Sequence, residues 1–128
     1  EPFVRRYPGI KAFEWVPKVA QSQRQEFEQR VSNTLQAGFE FFEPGPDKGI
    51  ITAAQRPWYY PVYYIEPLAS NRKWFGLDVG AIPPAHIAKM RAMELDAPVA
   101  SKRMMLVQSQ DNQYGVVVSL PVFHKHKP

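Results

Sequence analysis

One aromatic segment dominates the sequence: Trp58-Tyr59-Tyr60-Pro61-Val62-Tyr63-Tyr64-Ile65-Glu66-Pro67. Tyr, Val and Ile favour extended backbone, so we expect a strand over residues 58–65, with Pro61 placing it at a sheet edge or a bulge. Alternate side chains of a strand share a face, which puts Tyr60 and Tyr64 together. That face either packs in the core or lines a ligand pocket with apolar walls and hydroxyl tips.

The residues before this segment predict a helix and a short strand. Ser22 and Gln25 have the spacing of a capping box, and apolar residues recur after them at a spacing of four. We therefore expect a helix over residues 22–37, which ends at Gly38. The apolar residues 39–42 predict a strand.

The residues after this segment predict a second helix and a hairpin. The helix begins at Pro83 and is closed by Pro98. Residues 104–107 and 116–123 read as two strands that form an antiparallel hairpin. Because strict strand–helix–strand alternation is absent, the order of elements favours an α+β fold, an antiparallel sheet with packed helices.

Composition restricts the function more than it identifies it. The 128 residues, 45% of them apolar, fit one globular domain, and the absence of cysteine removes thiolate chemistry. The net charge of +4 is scattered away from the aromatic segment, which argues against nucleic acid. The three histidines form no metal site, and no nucleophile has a positioned base. We expect a protein that is not an enzyme and has no metal or cofactor.

The chain begins at Glu1 without an initiator Met, and no apolar run approaches the roughly 20 residues that cross a bilayer. We expect it to be a fragment of a longer protein. Two further residues are expected to be structural: Asp78, which can cap a helix or bind loop backbone, and Gly115, which begins the apolar segment 115–123.

Taken in order, several segments resemble the CHASE domain, the extracytoplasmic sensor of plant cytokinin receptors and of many bacterial kinases and cyclases. The similar segments are Arg24-Gln25-Glu26-Phe27-Glu28, residues 60–67, Asn71 with Gly76-Leu77-Asp78, Arg91-Ala92, and Gly115 through Pro121-Val122-Phe123.

The resemblance implies more than composition does. It implies a PAS-like antiparallel sheet, in tandem PAS-like halves behind a stalk helix that this chain lacks, so that residues 1–128 are a single sensor domain fragment. It implies a bacterial inner-membrane receptor with two flanking transmembrane helices and a periplasmic sensor. The output module would be a histidine kinase or a cyclic-dinucleotide cyclase or phosphodiesterase, and the full-length receptor would be a homodimer.

The resemblance also implies a site for an unidentified small molecule. The expected ligand-binding residues are Tyr60, Tyr64, Pro67, Leu68, Ser101 and Met105. Plant cytokinin receptors have an Asp where this chain has Pro67, and that Asp binds the adenine edge. Because proline has no side-chain acceptor, we expect a ligand other than a cytokinin.

Two hypotheses remain open for the function. The first is a small-ligand sensor domain, which requires a cavity with convergent polar groups. The second is a periplasmic protein-interaction or dimerisation module without a pocket, which a filled core behind Tyr60 and Tyr64 would favour.

Overall fold

The computed structural model describes residues 12–46, 49–66, 71–105 and 114–123, with the main chain alone at Met105 and Tyr114. The chain divides into two compact units, Glu1–Ile82 and Pro83–Pro128. Each unit combines a helix with short antiparallel strands, which confirms the predicted α+β class. In the described ranges, no helix has the length and apolar composition needed to cross a membrane.

In its described residues, the first unit consists of short strands around one α-helix. In chain order its elements are β1 (Phe13–Trp15), β2 (Val19–Ala20), α1 (Gln21–Thr34), β3 (Phe42–Pro44), β4 (Ile50–Thr52), β5 (Trp58–Tyr59) and β6 (Tyr64–Glu66), followed by 3₁₀ turns at Arg72–Trp74 and Val79–Ala81. The pairs β1–β6, β2–β5 and β3–β4 are all antiparallel.

Residues 76–78 bridge β3 and the segment 60–62, which connects β5 to β6. On one side, the Asp78 N–H donates to the Phe42 carbonyl at 2.8 Å, which adds this segment beside β3. On the other side, the Val62 N–H donates to the Leu77 carbonyl, also at 2.8 Å. The segment therefore lies between β3 and residues 60–62 and satisfies the main-chain groups of both.

The prediction of one strand over residues 58–65 is wrong, because β5 and β6 are separate strands with different partners. β5 pairs with β2, and β6 pairs with β1. The break falls at Pro61, which has no N–H to donate to a ladder and instead forms an isolated bridge with Asp78. Tyr60 and Tyr64 consequently differ in burial, at 4% and 51% exposed.

The first helix begins and ends earlier than the sequence predicts. Its N-cap is Ala20, whose N–H donates to the Gln23 side chain at 3.4 Å, so the predicted capping box at Ser22 and Gln25 is wrong. The helix ends at Thr34 rather than near residue 37. Gly38 does adopt the left-handed conformation expected after a helix, with φ +79°. The expected strand at residues 39–42 forms later, at β3.

The core of the first unit is aromatic. Phe41 and Tyr59 are fully buried, with ring centroids 5.2 Å apart. Phe27 of α1 meets the Phe41 ring edge-on at 5.7 Å, and Val31 is 1% exposed on the same helix. Each aromatic pair contributes about 0.5–1.5 kcal/mol beyond simple burial, so these contacts fix α1 against the strands.

The second unit begins with a helix and ends with two strand pairs. Its elements are α2 (Pro83–Leu95), β7 (Val99–Ala100), β8 (Met104–Met105), β9 (Tyr114–Gly115) and β10 (Val118–Ser119). β7 pairs with β10 and β8 with β9, both antiparallel. α2 begins at the predicted proline and packs against β7 and β10, with three alanines buried on its length: Ala85, Ala88 and Ala92.

The predicted pairing of residues 104–107 with 116–123 is wrong, because Met104 and Met105 pair with Gly115 and Tyr114, which precede the predicted second strand. Residues 106 and 107 lie outside the described residues. Val118 and Ser119 pair instead with β7, a strand that the sequence did not reveal. The change of partner occurs at Ser101, whose N–H donates to the Val117 carbonyl at 2.7 Å. The Val117 N–H in turn donates to the Ser101 Oγ at 2.9 Å, and this bond holds the residues before β10 against those that follow β7.

Gly76 is the glycine whose replacement should damage the first unit most directly. Its φ is +100°, and a Cβ would lie 2.8 Å from the Glu40 carbonyl oxygen. We expect Gly76→Ala to lower the free energy of unfolding by more than about 2 kcal/mol, measured by urea unfolding. Gly38→Ala is the matched control, because its φ is +79° but no atom of the described residues lies within 4 Å of the added Cβ; it should cost only about 1 kcal/mol. Equal losses would contradict the steric role of Gly76.

Candidate functional site

The residues predicted to bind ligand are divided between the two units. Tyr60 and Tyr64 belong to the first unit, and Ser101 and Met105 to the second. Pro67 and Leu68 lie outside the described residues, as does the side chain of Met105.

Tyr60 and Tyr64 occupy different environments in the first unit. Tyr60 is buried, and burial raises the pKa of its phenol above the usual 10.0, with the nearby Asp78 carboxylate adding to the effect. The hydroxyl therefore keeps its proton and remains a hydrogen-bond donor at neutral pH. Tyr64 is half exposed and pairs with Trp15 across β1 and β6. The expectation that the two side chains share one face is wrong.

The Ser101 hydroxyl is occupied by its own unit. Its Oγ accepts from the Val117 N–H at 2.9 Å and lies 2.8 Å from the Lys102 carbonyl, to which it donates. Ser101 is 9% exposed. A ligand that used this hydroxyl as a donor would have to replace its bond to Lys102. Gly115 lies in β9, opposite Met104.

Asp78 is the fully buried acidic residue at the centre of the first unit. Its Oδ1 accepts from the N–H groups of Tyr60 and Gly80, at 2.8 and 3.0 Å. Its Oδ2 accepts from Arg56 Nη1 at 3.0 Å. The carboxylate thus caps the Val79–Ala81 turn and holds the Tyr60 main chain with one oxygen, while the other is neutralised by a guanidinium.

Arg56 extends this arrangement to β3. Its Nη2 donates to Glu43 Oε1 at 2.5 Å, and the same Glu43 oxygen accepts from the Ala54 N–H at 2.8 Å. Burial alone would raise the pKa of the Glu43 carboxyl, but the Ala54 N–H and the Arg56 guanidinium outweigh it and hold that pKa below its usual value. Glu43 therefore remains charged.

The Tyr59 hydroxyl is a second junction, between β5 and α1. It accepts from Arg24 Nη1 at 2.9 Å and from the Arg56 N–H at 3.0 Å, and it donates to the Gln21 side chain. Arg24 also donates from Nε to Glu28 Oε2 at 3.0 Å, and the same Glu28 oxygen accepts from the Phe41 N–H. Polar groups from α1, β3 and β5 are thus linked inside the unit.

Sequence reasoning missed most of this network. The spacing of four between Arg24 and Glu28 is the sequence signal that could have indicated their ion pair on α1. Nothing local to Arg56 in the sequence indicated its role, because its partners Glu43 and Asp78 are distant along the chain.

The charged side chains of this network hold main-chain groups in place. The Arg56 guanidinium offsets part of the charge of the Asp78 and Glu43 carboxylates, and both carboxylates hold main-chain N–H groups. In the part of the chain that the structure describes, no group of three His, Cys, Asp or Glu residues could hold a metal. A surface hollow lies elsewhere, along one side of α2, where His86, Ile87, Met90, Arg91 and Glu94 line it.

Replacing the Asp78 carboxylate should destabilise the protein strongly. Asp78→Asn keeps an acceptor for the Tyr60 and Gly80 N–H groups but removes the charge opposite Arg56. We expect a loss of about 2–3 kcal/mol in urea unfolding. Asp96→Asn, at an exposed residue with φ +53°, is the matched control and should change stability by less than about 0.5 kcal/mol. If Asp78→Asn loses as little stability as Asp96→Asn, the ion pair contributes little to the free energy of unfolding.

The lowered pKa of Glu43 predicts a specific acid sensitivity. Its stabilising effect is present above the unfolded pKa of about 4.3 and is lost as the pH falls through the lower folded value. The melting temperature of Glu43→Gln should therefore fall less than that of the wild type between about pH 6 and pH 3. Glu26→Gln removes an exposed carboxylate from α1 and serves as the control. Parallel curves for wild type and Glu43→Gln would refute this assignment.

The comparison with known families agrees with the order of similar segments along the chain. The CHASE domain family model matches residues 2–128, essentially the whole sequence, while none of the curated proteins matches the chain. CHASE domains are extracytoplasmic sensory domains of membrane signalling receptors. The family resemblance carried by the sequence is thus confirmed, and the chain belongs to the CHASE domain family.

Proposed function

We propose that this chain is the extracytoplasmic small-ligand-sensing domain of a transmembrane signalling receptor. The observation that carries the proposal is the match to the CHASE family from residue 2 to residue 128. That extent supports treating residues 1–128 as one sensor domain. The receptor's output would be a histidine kinase or a diguanylate cyclase or phosphodiesterase.

The proposal includes the setting of the domain and its fold. The domain would face the periplasm of a bacterium, held by flanking helices in the inner membrane, and would act as a homodimer in the full-length receptor without catalysing a reaction. A PAS-like arrangement is part of the proposal. It is supported in the first unit by antiparallel pairs of short strands, with α1 packed on the aromatic core.

Tyr60 is the residue that we place at the ligand. Its hydroxyl stays protonated, and its main chain is fixed by Asp78, so the side chain starts from an ordered backbone. An ordered site loses less entropy on binding. Pro67 and Leu68 would complete this wall, and Pro67 disfavours a cytokinin. Tyr64 in the first unit, and Ser101 and Met105 in the second, stay predicted ligand-binding residues.

Trp74 adds a polar group to the same part of the sequence. Its indole Nε1 is buried and has no hydrogen-bond partner among the residues that the structure describes. A buried donor without an acceptor is costly, and a ligand carbonyl or carboxylate would satisfy it. The unpaired indole N–H therefore supports a ligand that carries an acceptor.

The second candidate is a periplasmic interaction or dimerisation module without a pocket. Two observations favour it. Tyr60 is only 4% exposed, as in a filled core. Along residues 116–122, every second side chain is apolar and 54–66% exposed: Val116, Val118, Leu120 and Val122. Exposed apolar rows of this kind mark protein contacts.

A ligand screen separates the two candidates. The chain would be screened by thermal unfolding against amino acids, carboxylic acids, nucleobases and short peptides. A true ligand at about 100 times its Kd adds about 2.7 kcal/mol and raises the melting temperature by several degrees. Tyr60→Phe should weaken that ligand by about twofold to tenfold, because one hydrogen bond is lost.

Tyr63→Phe is the control for this screen. Tyr63 packs in the aromatic core, with its ring 5.5 Å from that of Phe27, so its variant should bind as the wild type does. If no compound shifts the melting temperature and none changes the output of the full-length receptor, the sensing proposal is wrong. Concentration-dependent dimerisation that is lost in Val118→Lys would then support the second candidate.

A further inference from the structure

We propose that Arg56 is a positioning residue that couples the Tyr60 segment to helix α1 through one continuous chain of hydrogen bonds. Its meaning for signalling rests on the proposed function, since Tyr60 is where we place the ligand. The coupling itself is a property of the ligand-free protein and can be measured there.

The chain of bonds begins at the Tyr60 main chain. The Tyr60 N–H donates to Asp78 Oδ1, and Asp78 Oδ2 accepts from Arg56 Nη1. Because the Asp78 side chain is fully buried, no water can replace either bond when a partner moves. A shift of the Tyr60 backbone must therefore move Asp78 or leave an N–H unpaired, and Asp78 cannot leave Arg56 without becoming a buried, uncompensated charge.

Arg56 connects this end to the rest of the unit through three groups. One arm of its guanidinium binds Asp78, the other binds Glu43 of β3, and its main-chain N–H donates to the Tyr59 hydroxyl. The planar fork of arginine fixes both arms at once, which a flexible ammonium cannot do. Arg56 itself lies between β4 and β5, in a segment without regular structure.

From Tyr59 the chain of bonds enters α1. The Tyr59 hydroxyl accepts from Arg24, and Arg24 donates to Glu28 one turn further along the helix. Glu28 then accepts from the Phe41 N–H at 2.8 Å. The Phe41 amide and the Tyr60 amide are thus opposite ends of the path, and neither contacts the other's acceptor.

The neighbouring contacts on α1 lie off this path. Arg30 stands over the Phe27 ring at 5.3 Å and is exposed. The Leu35 N–H donates to the Val31 carbonyl, a bond within the helix end. These groups provide a control substitution and a reference amide on the same element.

Hydrogen exchange of the 128-residue chain, followed by NMR without added ligand, tests the coupling. Arg56→Lys keeps the positive charge but not the fork. After correction for global stability, it should speed exchange of the Tyr60, Gly80 and Phe41 amides together, while the Leu35 amide stays unchanged. Coupling within one network corresponds to effects of about twofold to a hundredfold. Arg30→Lys should change none of them.

If Arg56→Lys folds poorly, the reverse experiment still tests the proposal. Coupling is reciprocal, so Glu28→Gln should speed exchange at Tyr60 and Gly80, which do not contact Glu28. The proposal is overturned if Arg56→Lys affects Tyr60 and Gly80 but spares Phe41, or if Glu28→Gln spares both. It is also overturned if Leu35 changes equally. A screen that finds no ligand would not change the hydrogen-exchange result. An exchange experiment that shows no coupling would likewise not change the outcome of the screen.

Discussion

The first unit depends on the contact between the Asp78 carboxylate and the Arg56 guanidinium, 3.0 Å apart. A buried charge without a partner is among the most costly features a fold can have, whereas a paired and hydrogen-bonded one is tolerated. Asp78 uses the pairing to hold two main-chain N–H groups at the point where Pro61 interrupts the strand. The carboxylate thus substitutes for the ladder bonds that the proline segment cannot supply.

The sequence predicted the helices better than the strands. Periodicity and proline placement located both helices to within a few residues, because those signals are local. The strands were harder because their partners are distant. Nothing near Tyr60 shows that residues 76–78 will lie beside it, and nothing near Val118 shows that it will pair with Val99 and Ala100 rather than continue a hairpin. Distant pairing is decided by packing that a local pattern does not contain.

The candidate site shows the same limit. Tyr60 is buried within the aromatic segment, but a strand period applied across Pro61 placed Tyr64 on the wrong face. Arg56 and Glu43 could not be inferred, because each gains its role only when β3, β5 and the Val79–Ala81 turn come together. The family resemblance, by contrast, required only the order of segments, and it was correct along the whole chain.

A sensor domain must convert a small contact into a change elsewhere, and packed side chains and hydrogen-bond networks can carry that coupling. The polar network offers such a path in the first unit, through the buried bond of the Tyr60 N–H to Asp78 and the part-buried bonds of Arg56. A double-mutant cycle between Arg56→Met and Asp78→Asn, by urea unfolding, tests the coupling of these two residues most directly. We expect a coupling free energy of about 2 kcal/mol or more. Additive losses, with a coupling near zero, would contradict the central place given to this ion pair.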